Sequence, residues 1–246
     1  MLDDSIWKSG TVTSRYLEVM RDSRPFIKEQ IEIMLRLIRD LGLPVQRFID
    51  LGCGDGVLAA VIWEQYPDAT GVLVDHSPPM LQAAREKFQK SSVSIHVCDI
   101  DYGRPGWVEA LAKYSPVDLI VSGHSIHHQP DSRKHEIYAE IFTLLQPGGM
   151  FINVEHVASG TERLERLWEE IRVDALHDFA VQQGLNKSRS ELQSEFRQWP
   201  DREANRFTLV ETQCDWLREI GYSDVDCFFK YFEFAVFGGC RPPSQK

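Results

Sequence analysis

Residues 47–62 read RFIDLGCGDGVLAAVI. An apolar run ends at Asp50, glycines alternate at Gly52, Gly54 and Gly56, and an Ala- and Leu-rich stretch of helical character follows. A strand, a glycine turn and a helix form a recurring cradle for nucleotide-like ligands. Glycine takes dihedrals that other residues resist and lets a ligand approach the backbone, while the helix start offers free N–H groups. Dinucleotide sites use GxGxxG, whose third glycine allows close helix–strand packing. Here the spacing is GxGxG, and Asp50 stands two residues before the first glycine. A carboxylate there repels a pyrophosphate and suits a cationic group such as an amino-acid ammonium.

Working outward, the next apolar run, GVLVDHSPPML (71–81), reaches Asp75 nineteen residues after Gly56. An acid at the end of a second strand accepts hydrogen bonds from a ribose diol. A third run ends HVCDID (96–101), which places Asp99 and Ile100 for an adenine edge and face. An ammonium, a ribose and an adenine together describe S-adenosylmethionine (SAM).

With LLQPGGMFI (144–152), these segments resemble the successive motifs of the class I SAM-dependent methyltransferases, in order and in register over roughly residues 45–155. The resemblance implies an α/β fold: a doubly wound, Rossmann-like sheet of seven strands, mostly parallel with an antiparallel last strand, and a helical lid or insertion. It implies SAM as cofactor and S-adenosylhomocysteine (SAH) as product. By the same resemblance Gly52, Gly54 and Gly56 line the methionine moiety and ribose, and Asp50 helps hold the ammonium. Asp75 binds the ribose diol, His76 and Met80 flank the adenine, Asp99 meets its amino group and Ile100 covers its ring. Ser122 and His124 fall near the sulfonium. Tyr16 and Arg21, in YLEVMRDSRPF (16–26), match positions before the first core helix; Arg21 pairs with the SAM carboxylate, and Tyr16 touches it or the acceptor.

The acceptor side is less legible. His124, His127 and His128 lie in SGHSIHHQPD (122–131), past a fourth strand, where ligands bind in open α/β sheets. His127 and His128, with Tyr16, are the candidate catalytic groups; a histidine there is suited to act as base on an acceptor hydroxyl or amine. Glu155 and His156 end the fifth strand. No HxxxH helix or carboxylate cluster accompanies them, so no metal is expected. Trp168, Trp199, Trp216, Phe179, Phe196 and Phe207 read as core for the most part, with an apolar acceptor pocket as the alternative. Arg15, Arg21, Arg24, Arg163, Arg172, Arg202 and Arg206 are available to an anionic acceptor.

The 246 residues divide into an N-terminal cap (1–44), a SAM-binding core (45–159), a helical insertion (160–206) and a C-terminal helix with a strand pair (207–246), read as one domain. The run PFIKEQIEIMLRLIRDLG (25–42) has helical spacing, and strands are expected at 47–51, 70–75, 94–99, 117–123 and 150–155. Apolar residues make up 43%, enough for a core. With 27 Lys and Arg against 37 Asp and Glu, the net charge of −10 disfavours nucleic acid as partner and leaves a small-molecule substrate. Five cysteines without a CxxC pair fit a reducing cytoplasm. No secretory signal and no membrane-length apolar run is visible. Monomer and homodimer both stay open.

The leading functional reading is methyl transfer to a small molecule by in-line displacement. Three alternatives stand beside it: a SAM-modifying enzyme of the carboxy-SAM synthase type, a non-catalytic SAM-binding partner subunit, and a tRNA or RNA methyltransferase. Carboxy-SAM synthases resemble this chain in motif order. They carry an arginine in the helix before the final strands, where ETQCDWLREIG (211–221) here shows Trp216.

Overall fold

A computed structural model of the chain describes residues 25–42, 44–89, 94–199, 202 and 204–244. Helix α1 (Ile27–Asp40) precedes β1 (Arg47–Leu51), α2 (Val57–Gln65), β2 (Thr70–Asp75), α3 (Pro78–Phe88), β3 (Ile95–Asp99) and α4 (Trp107–Leu111). Then come β4 (Val117–Gly123), a 3-10 turn (Ile126–His128), α5 (Asp131–Leu144) and β5 (Leu145–His156). Helices α6 (Glu162–Gln182), α7 (Arg189–Arg197) and α8 (Val210–Ile220) lead to β6 (Ser223–Tyr231) and β7 (Phe234–Cys240).

The seven strands form one sheet in the order β3-β2-β1-β4-β5-β7-β6. Strands β1 to β5 run parallel, and β7 lies antiparallel between β5 and β6. The strand order reverses between β1 and β4, which makes their carboxyl ends the crevice where open α/β sheets take ligands. Each sheet face is covered. One carries Ile137, Tyr138 and Ile141 of α5 with Val210, Cys214 and Leu217 of α8. The other carries Met34 and Ile38 of α1 with Leu58, Ala59 and Ile62 of α2. Burial on both faces explains why the central strands read as continuous apolar runs rather than alternating ones.

Strand β5 starts at Leu145, earlier than expected. Val117 pairs with Leu145 and Leu119 with Met150, so Pro147–Gly149 bulge out of the ladder within the strand. Within the 160–206 stretch, Thr161 caps α6 by accepting from Leu164 N–H, and a Ser188–Glu191 capping box starts α7. Arg189 joins α7 to Glu170 and Asp174 of α6, and Arg197 joins it to Glu169. Among the described residues no helix is long and apolar enough to cross a membrane.

Candidate active site

The carboxyl ends of β1, β2 and β4 open into a cleft enclosing about 1040 Å³, its solvent mouth included. Its walls carry Asp50, Gly52 and Gly54 from the glycine loop, Asp75, His76 and Met80 from the β2–α3 junction, and His124 and His128 past β4. Gly52 and Gly54 both have positive φ, and Gly52 N–H donates to Val74 O at 2.7 Å, which pins the loop across β2. A Cβ on Gly54 would meet nothing closer than Met80 Sδ at 3.7 Å, so this glycine leaves backbone bare toward the cleft.

Two carboxylates stand in this wall. Asp50 is 1% exposed and accepts from Ala59 N–H of α2 at 3.1 Å. Burial pushes its pKa up to about 7, against the pull of that N–H and with help from the nearby Asp75 and Asp55 charges. Asp75 accepts from Gly54 N–H at 2.9 Å on Oδ2, and from His76 and Ser77 N–H at 2.8 Å on Oδ1. Burial raises its pKa while the Ser77, Gly54 and His76 N–H groups hold it down. Oδ1 already accepts two N–H groups and Oδ2 one, so the remaining acceptor capacity for a diol lies on Oδ2. Nε2 of His76 is enclosed without a hydrogen-bond partner. A cradle of bare glycine backbone, a buried acid and an orphaned imidazole nitrogen fit a ligand with a cationic end, a diol and a heteroaromatic ring.

Other expected residues lie outside the cleft wall. Gly56 has φ +77°, and a Cβ there would meet Phe88 of α3 at 2.8 Å and Leu73 of β2 at 3.0 Å, so the packing around the start of α2 itself calls for a glycine. Ser122 is fully buried within β4 and donates to Leu51 O at 2.7 Å. Asp99 is exposed at the end of β3, level with Asp75 in the register. Ile100 packs against the core beneath, its N–H bonded to Asp75 O at 2.9 Å. Tyr16, Arg15, Arg21 and Arg24 fall outside the described residues.

The histidines form a second cluster next to the cleft. Glu155, wholly buried at the end of β5, accepts from His127 N–H at 3.0 Å, and its other oxygen lies 2.6 Å from His127 Nδ1. A carboxylate only accepts, so Nδ1 carries a proton, and in the neutral ring the lone pair is on Nε2. The His127 and His128 rings lie 4.0 Å apart, and His128 is the one in the cleft wall. His156 Nε2 lies 2.8 Å from Glu233 Oε2, and Ser159 donates to Oε1 at 2.6 Å. Burial lifts the Glu233 pKa to about 7, opposed by the Ser159 hydroxyl.

The chain after α7 returns across this cluster. Arg206 N–H donates to His127 O at 2.9 Å, and Phe207 stacks on His156 at 3.9 Å. Buried Lys134 of α5 clamps the return: its ammonium bonds Thr208 Oγ1, Arg206 O and Asp131. Trp168 and Phe234 complete the wall around His156, with Arg172 lying over both rings. Trp199 packs in the interior, and Trp216 lies half-buried on α8 against the core, its ring 6.0 Å from His135. Among the described residues no three His, Cys, Asp or Glu converge to hold a metal ion. The sequence reading set Glu155 and His156 beside His127 and His128 only as a metal alternative; the Glu155–His127 hydrogen bonds, the Glu233–His156 pairing, and Tyr102, Ser125 and Gln129 in the cleft wall escaped it. Each joins residues far apart in the chain, and only the acid ending β5 carried a visible signal.

Residues 48–149 match the family described as Methyltransferase domain. The chain is 20% identical to the carboxy-S-adenosyl-L-methionine synthase of Nautilia profundicola over 230 residues, 92% of this chain and 90% of the relative. It is 29% identical to ribosomal RNA large subunit methyltransferase G of Shewanella amazonensis over 157 residues, 59% of this chain and 38% of the relative. Its fold is similar to that of a solved S-adenosylmethionine-dependent methyltransferase from Clostridium acetobutylicum. That likeness has a TM-score of 0.61 at 14% identity and covers 95% of this chain and 98% of that one.

Proposed function

We propose, from the premise that residues 48–149 are a methyltransferase domain of the class I SAM-dependent fold, that the cleft binds SAM and the chain moves its methyl group to a small molecule. The observation that carries this reading is the placement of Asp50, Gly52, Gly54 and Asp75 in one wall at the carboxyl ends of β1 and β2. Asp50 receives the ammonium, Asp75 the ribose hydroxyls, and His76 and Met80 flank the adenine. Asp99 and Ile100 serve the far edge of the ring.

SAM supplies an activated methyl group when bound. The chain's own work is to align an acceptor and exclude water. His124 and His128 stand where the cleft meets the histidine cluster. Glu155 fixes His127, whose ring lies 4.0 Å from that of the cleft-lining His128, and this pair is the candidate to take a proton from an acceptor hydroxyl or amine. Phe207, Trp168 and Phe234 give that side apolar walls, and Arg172 gives it a cation. This oriented base favours plain methyl transfer to a protonated oxygen or nitrogen.

A second reading follows the relatives named carboxy-SAM synthase, which align along nine-tenths of the chain. It would have the chain modify SAM itself. Trp216, in the stretch compared with the arginine-bearing helix of those enzymes, lies half-buried on α8 against the core and is not in the cleft wall. Incubation with SAM and a panel of small hydroxyl and amine compounds, and separately with SAM and small carboxylic acids able to give up their carboxyl group, followed by mass spectrometry, separates the readings. SAH with a methylated acceptor supports methyl transfer. A carboxylated cofactor supports the second reading and removes the first.

A further inference from the structure

A pair of hydroxyls stands over the first glycine of the loop. Tyr102 OH and Ser125 Oγ lie 2.5 Å apart, and both residues line the cleft. Tyr102 is only 4% exposed. One comes from just past β3 and the other from just past β4, so the topology brings them together across the end of β1. A Cβ on Gly52 would run into the Ser125 hydroxymethyl and stand 3.4 Å from the Tyr102 hydroxyl. Position 52 is glycine because these hydroxyls occupy its side-chain space as well as because of its φ of +69°.

What the pair faces follows from the order of groups in the ligand, and so rests on the SAM reading. Asp50 takes the amino-acid end and Asp75 the ribose. In SAM the sulfur joins those two parts, so it lies between the two acids, over Gly52 to Gly54. The hydroxyl pair borders that stretch. A hydroxyl oxygen carries two acceptor lone pairs, and the one hydrogen bond the pair shares engages a single one of them. In a low-dielectric cleft an oxygen beside a cation stabilises it more than water-exposed oxygen does.

We propose that the Tyr102–Ser125 hydroxyl pair is the element that recognises the sulfonium and sets the preference for SAM over SAH. The pair transfers no proton. Its lone pairs oppose the charged sulfur of SAM and gain nothing from the neutral thioether of the product. Loss of the methyl group thus removes the attraction and favours product release.

Calorimetric titration of the full chain and of Tyr102→Phe with SAM and with SAH tests this. The expected result is SAM binding weakened about five- to tenfold, with SAH within about twofold of the parent. Equal weakening of both ligands, or of neither, overturns the proposal and leaves the cofactor reading intact. Ser125→Ala, checked by thermal unfolding, gives a second route to the same ratio should Tyr102→Phe fail to fold. If the parent binds neither ligand, the cofactor reading falls and this inference with it.

Discussion

Glu155 grips His127 at two points, its backbone N–H at 3.0 Å and its Nδ1 at 2.6 Å, so both the place and the tautomer of the ring are fixed from β5. A base whose orientation is held this way loses efficiency when the holder changes, even if cofactor binding does not. Glu155→Gln keeps the shape but sets its NH2 against the backbone N–H of either His127 or His156, so the ring loses its fixed place and tautomer. With an acceptor in hand, kcat is expected to fall about 10- to 100-fold while the SAM Kd stays put. Steady-state kinetics paired with titration checks it, and undiminished kcat would mean that alignment alone does the chemistry.

Asp50 makes cofactor binding depend on pH. Burial holds its proton on up to about pH 7. An ammonium beside it favours the ionised form, so binding must expel that proton wherever it is still bound. Affinity for SAM should therefore rise from pH 6 to pH 8, by up to about tenfold per unit below the free-state pKa, and level off above it. Asp50→Asn should be weaker and lose the rise. A parent affinity flat across this range contradicts the ammonium assignment.

Asp75 is the ribose acceptor of the account. Asp75→Ala removes a charged acceptor from two hydroxyls and should cost SAM and SAH alike about 1–3 kcal/mol of binding. Titration of the folded variant decides it, with unchanged affinity counting against the assignment.

The outer two glycines of the loop should separate by experiment. Gly56→Ala forces a left-handed residue against Phe88 and Leu73. It should lower stability by about 1–3 kcal/mol, read by denaturant unfolding, with little change in SAM affinity of the folded fraction. Gly52→Ala collides with the Ser125 hydroxymethyl inside the cleft and should abolish binding at comparable stability loss. Equal effects on affinity would mean that both glycines touch the ligand.

The cofactor half was legible because it is built from local signals. Asp50 before the glycines and Asp75 after the next apolar run sit at strand ends, and the sheet delivers both to one edge by parallel pairing, Asp50 level with Leu73 and Asp75 with Asp99. Gly56 read the same as Gly52 because sequence spacing does not show which side of the backbone faces the ligand and which faces Phe88. Ser122 read as a site residue for its position, and spacing does not show that its hydroxyl bonds the Leu51 carbonyl of the neighbouring strand. The acceptor side resisted for a different reason. Glu155 with His127, Glu233 with His156, and Lys134 with Thr208 are pairings between elements 28 to 77 positions apart, and no period or motif announces them.

The central claim is that the wall holding Asp50, Gly52 and Asp75 binds an adenosyl amino acid. Calorimetric titration of the full chain with SAM, SAH and NAD tests it most directly. Saturable binding of both adenosyl ligands and none of NAD is expected. Folded protein that takes up neither SAM nor SAH, or that prefers NAD, would contradict it.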